Sequence, residues 1–153
     1  MKRASLALTA ISGAALLGAA ATASAQGDEE RIEYRQAVFT VIAGNFSPMG
    51  DMVEGEIPYD AETFARNAER VAQLSGMALE GFEDGPHAGD TDAEDATWER
   101  WSDFQAADER FREAAASLAE ASAGGDEPLE AVQGPFLEVA QACQNCHDDF
   151  RDN

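Results

Sequence analysis

Lysine is nearly absent from this chain: the one lysine is Lys2, and every other cation is an arginine, ten basic residues in all against 30 acids in 153 residues. Nucleic-acid binding is excluded on that ground, because nothing here would neutralise a phosphate backbone. Histidine and cysteine are equally scarce, two of each. Both cysteines fall within the last eleven residues, three apart, so one disulfide is the most the chain can form. A closed zinc site needs four such ligands, and only one histidine lies near the cysteines. Long apolar runs are also missing beyond the first twenty residues, and no segment there approaches the length of a membrane span. No stretch alternates with the period of a strand, and no internal repeat is present.

What is there begins with a leader. Lys2 and Arg3 precede a run of small apolar side chains over residues 5–20, and Ala23-Ser24-Ala25 has the small-residue pattern of a cleavage site. Residues 1–25 read as a signal peptide, leaving a mature chain of Gln26–Asn153 that is exported to the periplasm. Its length of about 128 residues suits a single domain with one core. Loss of Lys2 and Arg3 leaves eight arginines against the 30 acids, a net charge of −22. A charge-steered protein partner would therefore be basic, and acidity of this kind fits a saline habitat.

Four helical segments follow. The first, roughly Asp28 to Phe46, carries Ile32, Val38, Phe39, Ile42 and Phe46 at helical spacing, and Ser47-Pro48 with Gly50 is expected to break it. The second opens at Asp60, a good N-cap, carries Phe64, Ala68, Val71 and Leu74, and runs toward Gly81. Residues 82–95 form a polar loop with Gly and Pro. The third is capped by Asp95 and holds Trp98, Trp101, Phe104, Phe111 and Leu118, the last three on a seven-residue step. Gly124-Gly125 stops it. Asp126 and Pro128 open the fourth, striped by Leu129, Val132, Phe136, Val139, Cys143 and Phe150. The expected fold is all-α, an antiparallel up-down-up-down four-helix bundle.

The chemistry concentrates in Cys143-Gln144-Asn145-Cys146-His147. C-x-x-C-H is the attachment pattern of c-type haem. On a helix, positions i, i+3 and i+4 share a face, so both sulfurs and the imidazole can address one porphyrin, with His147 as the metal ligand beneath it. A disulfide, a zinc site and coincidence are the competing readings of the same five residues. Export favours the haem, since these thioethers are formed outside the cytoplasm.

The C-terminal QNCHDDFR, together with IEYRQAVFTVIAGNF, IPYDAETFARNAERVAQLS and TWERWSDFQAADERF, resembles the cytochrome c′ family, the high-spin branch of the class II c-type cytochromes, over nearly the whole mature chain. That resemblance implies one haem c held through Cys143 and Cys146, and His147 on the iron. It places Arg35 and Arg151 beside the haem, near a propionate or in the proximal pocket, with a surface arginine paired to an acid as the plain alternative for each. Trp98 matches the family's third-helix aromatic and is expected to pack near the haem; Trp101 has no assigned place.

In Met-ligated, low-spin relatives the sixth ligand sits four residues after the arginine of the YRQ motif. Here that residue is Phe39, which cannot coordinate, so the resemblance implies a five-coordinate iron under an apolar cap. Of the remaining soft ligands Met49, Met52 and Met77, the first two are read as packing, Met77 falls on the stripe of the second helix, and His87 is read as a solvated loop residue. With no distal donor, bound O₂ gains no stabilisation, whereas NO binds ferrous iron without such help and CO is hindered by Phe39. The expectation is a protein that binds NO and CO and moves single electrons, with no turnover of a substrate. A six-coordinate electron-transfer cytochrome is the alternative, and a haem-free helical module with a terminal disulfide is a third class. Family members often pair as homodimers through the first two helices, which a charge of −22 would oppose at low salt.

Overall fold

The computed structural model describes residues 16–83 and 85–152, with side chains described from residue 27 on. Of the leader, residues 1–15 lie outside the described residues. Helix α1 spans Leu16–Glu54, α2 Ala61–Ser75, α3 Ala96–Glu99, α4 Trp101–Ala121 and α5 Leu129–Phe150, with a 3₁₀ turn at Glu80–Phe82. The four long helices close a ring of contacts: α1 packs on α2, α2 on α4, α4 on α5, and α5 back on α1. This is the expected four-helix bundle. Among the described residues no helix is long and apolar enough to cross a membrane.

Where the elements begin and end differs from the sequence reading in several places, beginning with α1, which starts at Leu16 rather than near Asp28. α1 does not stop at Ser47-Pro48; it continues through Pro48 to Glu54. The reason lies in the two methionines beyond the proline. Met49 is fully buried and Met52 nearly so, and their burial continues the inward stripe of Ile32, Val38 and Ile42. Two long apolar side chains, each worth about 1.5–3 kcal/mol when buried, offset the lost hydrogen bond of one proline. The helix ends instead at Gly55, whose φ of 78° reverses the chain.

α2 starts where expected, the Asp60 carboxylate accepting from the Thr63 amide at 2.7 Å, but it ends at Ser75 rather than near Gly81. The 3₁₀ turn that follows presses Gly81 onto α1: a Cβ there would lie 2.6 Å from Arg35 Cβ. The third helix is split. Asp95 makes no side-chain cap, and Arg100, at φ −114° and ψ 43°, breaks the short α3 from α4. Phe104, Phe111 and Leu118 nevertheless face inward as the seven-residue step requires.

Two apolar clusters divide the bundle along its length. The larger one, around Met49, Phe64, Val71, Phe111, Leu118, Val132 and Phe136, joins all four long helices. The smaller one gathers Phe82, Phe104, Ala107 and Phe150, with Phe39, Trp98, Trp101 and Cys146 packed against it. The loop between α2 and α3 is tied to the far end of the chain at this second cluster. The Glu94 amide donates to the Phe150 carbonyl at 3.0 Å, and the Asp152 amide to the Asp92 carbonyl at 2.8 Å.

Candidate functional site

The last three turns of α5 carry the five-residue motif. Helical pitch sets Cys143, Cys146 and His147 on one face, and all three line a cavity of about 710 Å³ enclosed by α1, α4, α5 and the loop at residues 91–93. That volume is in the range of cofactor pockets, and its wall is mainly apolar.

The thiols are free and half-buried. Burial pushes Cys143 up, and burial together with Cys143, Asp108 and Asp149 pushes Cys146 up to about 11. A redox-active C-x-x-C needs a lowered thiol pKa, and these move the other way, which speaks against a catalytic dithiol. The zinc reading loses its ligands: among the described residues no three His, Cys, Asp or Glu side chains gather as a metal site. His147 stands at the cavity rim, its pKa lowered by burial and then by Arg151.

On the α1 wall of the same cavity stand Arg35 and, one turn on, Phe39. Phe39 is half-buried and meets Phe82 edge-on, centroids 6.3 Å apart. Among the described residues no methionine lines the cavity. Met49 and Met52 sit in the larger core cluster, as packing, and Met77 is exposed.

Arg35 is 3% exposed, so the surface-arginine alternative fails for it. Its guanidinium donates to the Thr91 hydroxyl at 2.5 Å, the His87 Nδ1 at 3.3 Å and, at 3.5 Å, the Gly81 carbonyl, and it lies over the rings of Phe82 and Trp98. None of these partners carries a negative charge. A buried cation at a cavity edge without a counter-ion is costly unless an anion completes it, and the carboxylates of a haem would do so. With two thiols, one imidazole and an apolar wall on the same cavity, the residues present fit a haem.

Arg151 shows the surface ion pair of its plain alternative and also a place on the cavity. It lines the cavity and pairs with Asp92 at 3.0 Å, on an exposed edge.

One residue stands elsewhere than expected, and another stands one layer back from the cavity. His87 is not solvated; it is 8% exposed, edge-on to Trp98, with Nδ1 toward Arg35. Because arginine only donates, a hydrogen bond here uses Nδ1 as the acceptor. A loop that looks polar in sequence folds over this buried guanidinium and takes the histidine with it. Trp98 lies behind the cavity wall rather than on it: its indole donates to the Phe82 carbonyl at 2.9 Å and its ring packs on Phe82.

Sequence reasoning passed over Thr91 and Asp92, successive loop residues that hold Arg35 and Arg151, and Asp108, a carboxylate on the cavity wall. The loop pair left no periodic signal. Asp108 did leave one, standing four residues after Phe104 and three before Phe111 on the inward stripe.

Comparison with known proteins agrees with this geometry. The sequence model of one family, described as Cytochrome C', matches residues 30–151. A cytochrome c' of Halomonas halodenitrificans is 37% identical over 128 residues, covering 80% of this chain and 96% of that protein. The structure of cytochrome c prime from Shewanella frigidimarina superposes with a TM-score of 0.78 at 36% identity, over 82% of this chain and 97% of the other. A nitric oxide complex of a variant cytochrome c prime from Alcaligenes xylosoxidans gives a TM-score of 0.74 at 30% identity, over 82% and 96%.

Proposed function

Because the chain belongs to the cytochrome c′ family, and so carries a covalently attached haem c, we propose that it is a periplasmic gas-binding haem protein whose iron is held on one side only. In this reading the leader of residues 1–25 directs export and is removed. Cys143 and Cys146 hold the haem through thioethers, and His147 supplies the nitrogen to the iron. Arg35 meets a haem carboxylate, which completes its missing charge. Phe39 covers the open side. When bound, the haem supplies an iron that takes NO and CO and passes between ferric and ferrous by single electrons. The chain's part is to hold that iron, keep water from one face and withhold a sixth ligand.

The observation that carries the reading is the α1 wall of the cavity: the position one turn beyond Arg35 presents Phe39, and among the described residues no methionine or second histidine lines the cavity. A charge of −22 suits a basic electron donor. The test is an optical spectrum of the purified holoprotein, oxidised, reduced and with NO. A broad high-spin ferrous spectrum that changes on adding NO is expected. Sharp low-spin α and β bands without added ligand would mean a sixth ligand from the protein and overturn the open-iron reading.

A further inference from the structure

Helix α4 turns four successive inward positions to the cavity: Phe104, Ala107, Asp108 and Phe111. Three are apolar. The fourth is a half-buried carboxylate on the α4 wall of the haem cavity. Among the described residues Asp108 has no hydrogen bond and no ion pair, although it sits in an acid-rich chain with eight mature arginines to choose from. Arg112, one turn along, reaches Glu109 instead, at 3.7 Å.

From α5, Cys146 feels the negative charge of Asp108, with Asp149 and Arg110 adding smaller effects there. α1 contributes the neutral Gln36 and Thr40 besides Arg35. Asp92, His147 and Arg151 complete the ionisable wall, and Arg151 is engaged with Asp92.

We propose that Asp108 is a proton-accepting residue of this protein, taking up one proton when the haem takes one electron. This rests on the haem reading above. The balance is simple: an external one-electron donor supplies the electron, solvent supplies the proton, and the Asp108 carboxylate becomes a carboxylic acid while ferric iron becomes ferrous. No bond to the haem forms or breaks. The physical cause is charge. Ferric haem carries one more positive charge than ferrous, so reduction removes part of what holds Asp108 ionised in a poorly solvated wall. Burial, the largest influence on this carboxyl, already pushes its pKa up; Arg112 opposes that and Glu109 adds to it. Proton uptake therefore falls above the ordinary carboxylate value.

The experiment is the midpoint potential of the holoprotein from pH 4.5 to 8, for the native chain, Asp108→Asn and Asp108→Glu. In the native protein the potential should fall as pH rises through the acidic part of this span. The steepest fall, one proton per electron, is tenfold per pH unit, or about 59 mV. In Asp108→Asn that slope should flatten and the potential at neutral pH should rise. Asp108→Glu should restore a slope displaced along the pH axis. Redox-difference infrared spectra give a second readout: reduction should bring up a protonated-carboxyl band that the Asn variant lacks. A native slope kept in Asp108→Asn, or a native potential flat across the range, overturns the proposal. A pyridine haemochrome on the same samples shows that covalent haem is present, so a flat slope then counts against Asp108 and not against the haem.

Discussion

Phe39→Ala should open the ligand side of the haem. A gas molecule bound there must share space with the Phe39 ring, which rests edge-on against Phe82 with centroids 6.3 Å apart and planes at 73°. An aromatic pair of this geometry is worth about 0.5–1.5 kcal/mol beyond its area burial. If ligand entry displaces the ring, that energy opposes binding, and its removal should raise affinity by roughly twofold to tenfold. Carbon monoxide reads this most directly, since it binds ferrous haem and ignores ferric. The assay is equilibrium CO titration of the ferrous protein, with flash photolysis giving the entry rate. Phe39→Leu, which keeps bulk without the ring pair, should fall between. The substitution also has a stability cost. A fully buried Phe→Ala loses about 3–5 kcal/mol, and the half-buried Phe39 should lose less, seen as a lower Tm. If Phe39→Ala folds, retains its ferrous spectrum and binds CO no more tightly or faster than the native protein, Phe39 is not the lid.

Other expectations follow from the same geometry. Phe39→Met puts a thioether one turn beyond Arg35 and should convert the ferrous spectrum to sharp low-spin bands; an unchanged spectrum would place Phe39 out of reach of the iron. Thr91→Val removes the hydroxyl that accepts from the buried Arg35 and should cost roughly 1–3 kcal/mol in urea unfolding, whereas Asp92→Ala, at an exposed pair, should cost less than about 1 kcal/mol; equal costs would contradict the assigned burial. Pro48→Ala should stabilise by roughly 1–3 kcal/mol, because an alanine there continues the hydrogen-bond ladder of α1, and a lowered Tm would refute that account. In haem-free protein His147 is held below 6.5 by burial and then by Arg151. The folded state thus binds its proton less readily than the unfolded chain, so this contribution to stability is present above pH 6.5 and is lost as pH falls through it. His147→Gln should lose less stability than native apoprotein between pH 7.5 and 5.5.

The parts legible in the sequence were those written in short-range patterns. The C-x-x-C-H motif needs only helical pitch to bring its three side chains to one cavity, and the stripe of Phe104, Phe111 and Leu118 needs only a seven-residue step. The Asp60 cap is equally local. What escaped depends on partners far along the chain. Pro48 breaks a helix by local rules, yet Met49 and Met52 are buried by other helices, and tertiary packing prevailed. His87 lies in a loop rich in acids and glycine; its burial follows from Arg35, 52 residues away. The clasp of Thr91 and Asp92 on two arginines has the same origin, contacts between segments 56 and 59 residues apart.

The division of the interior into two clusters bears on how the cofactor comes to be mounted. The larger one draws on all four long helices and also lends the cavity Ile42, Phe111 and Val139, with Cys143 packed against it; the smaller lends Phe82, Phe104 and Phe150, with Cys146 packed against it. The two sulfurs thus stand on different clusters. A porphyrin bonded to both would tie the two halves of the interior together.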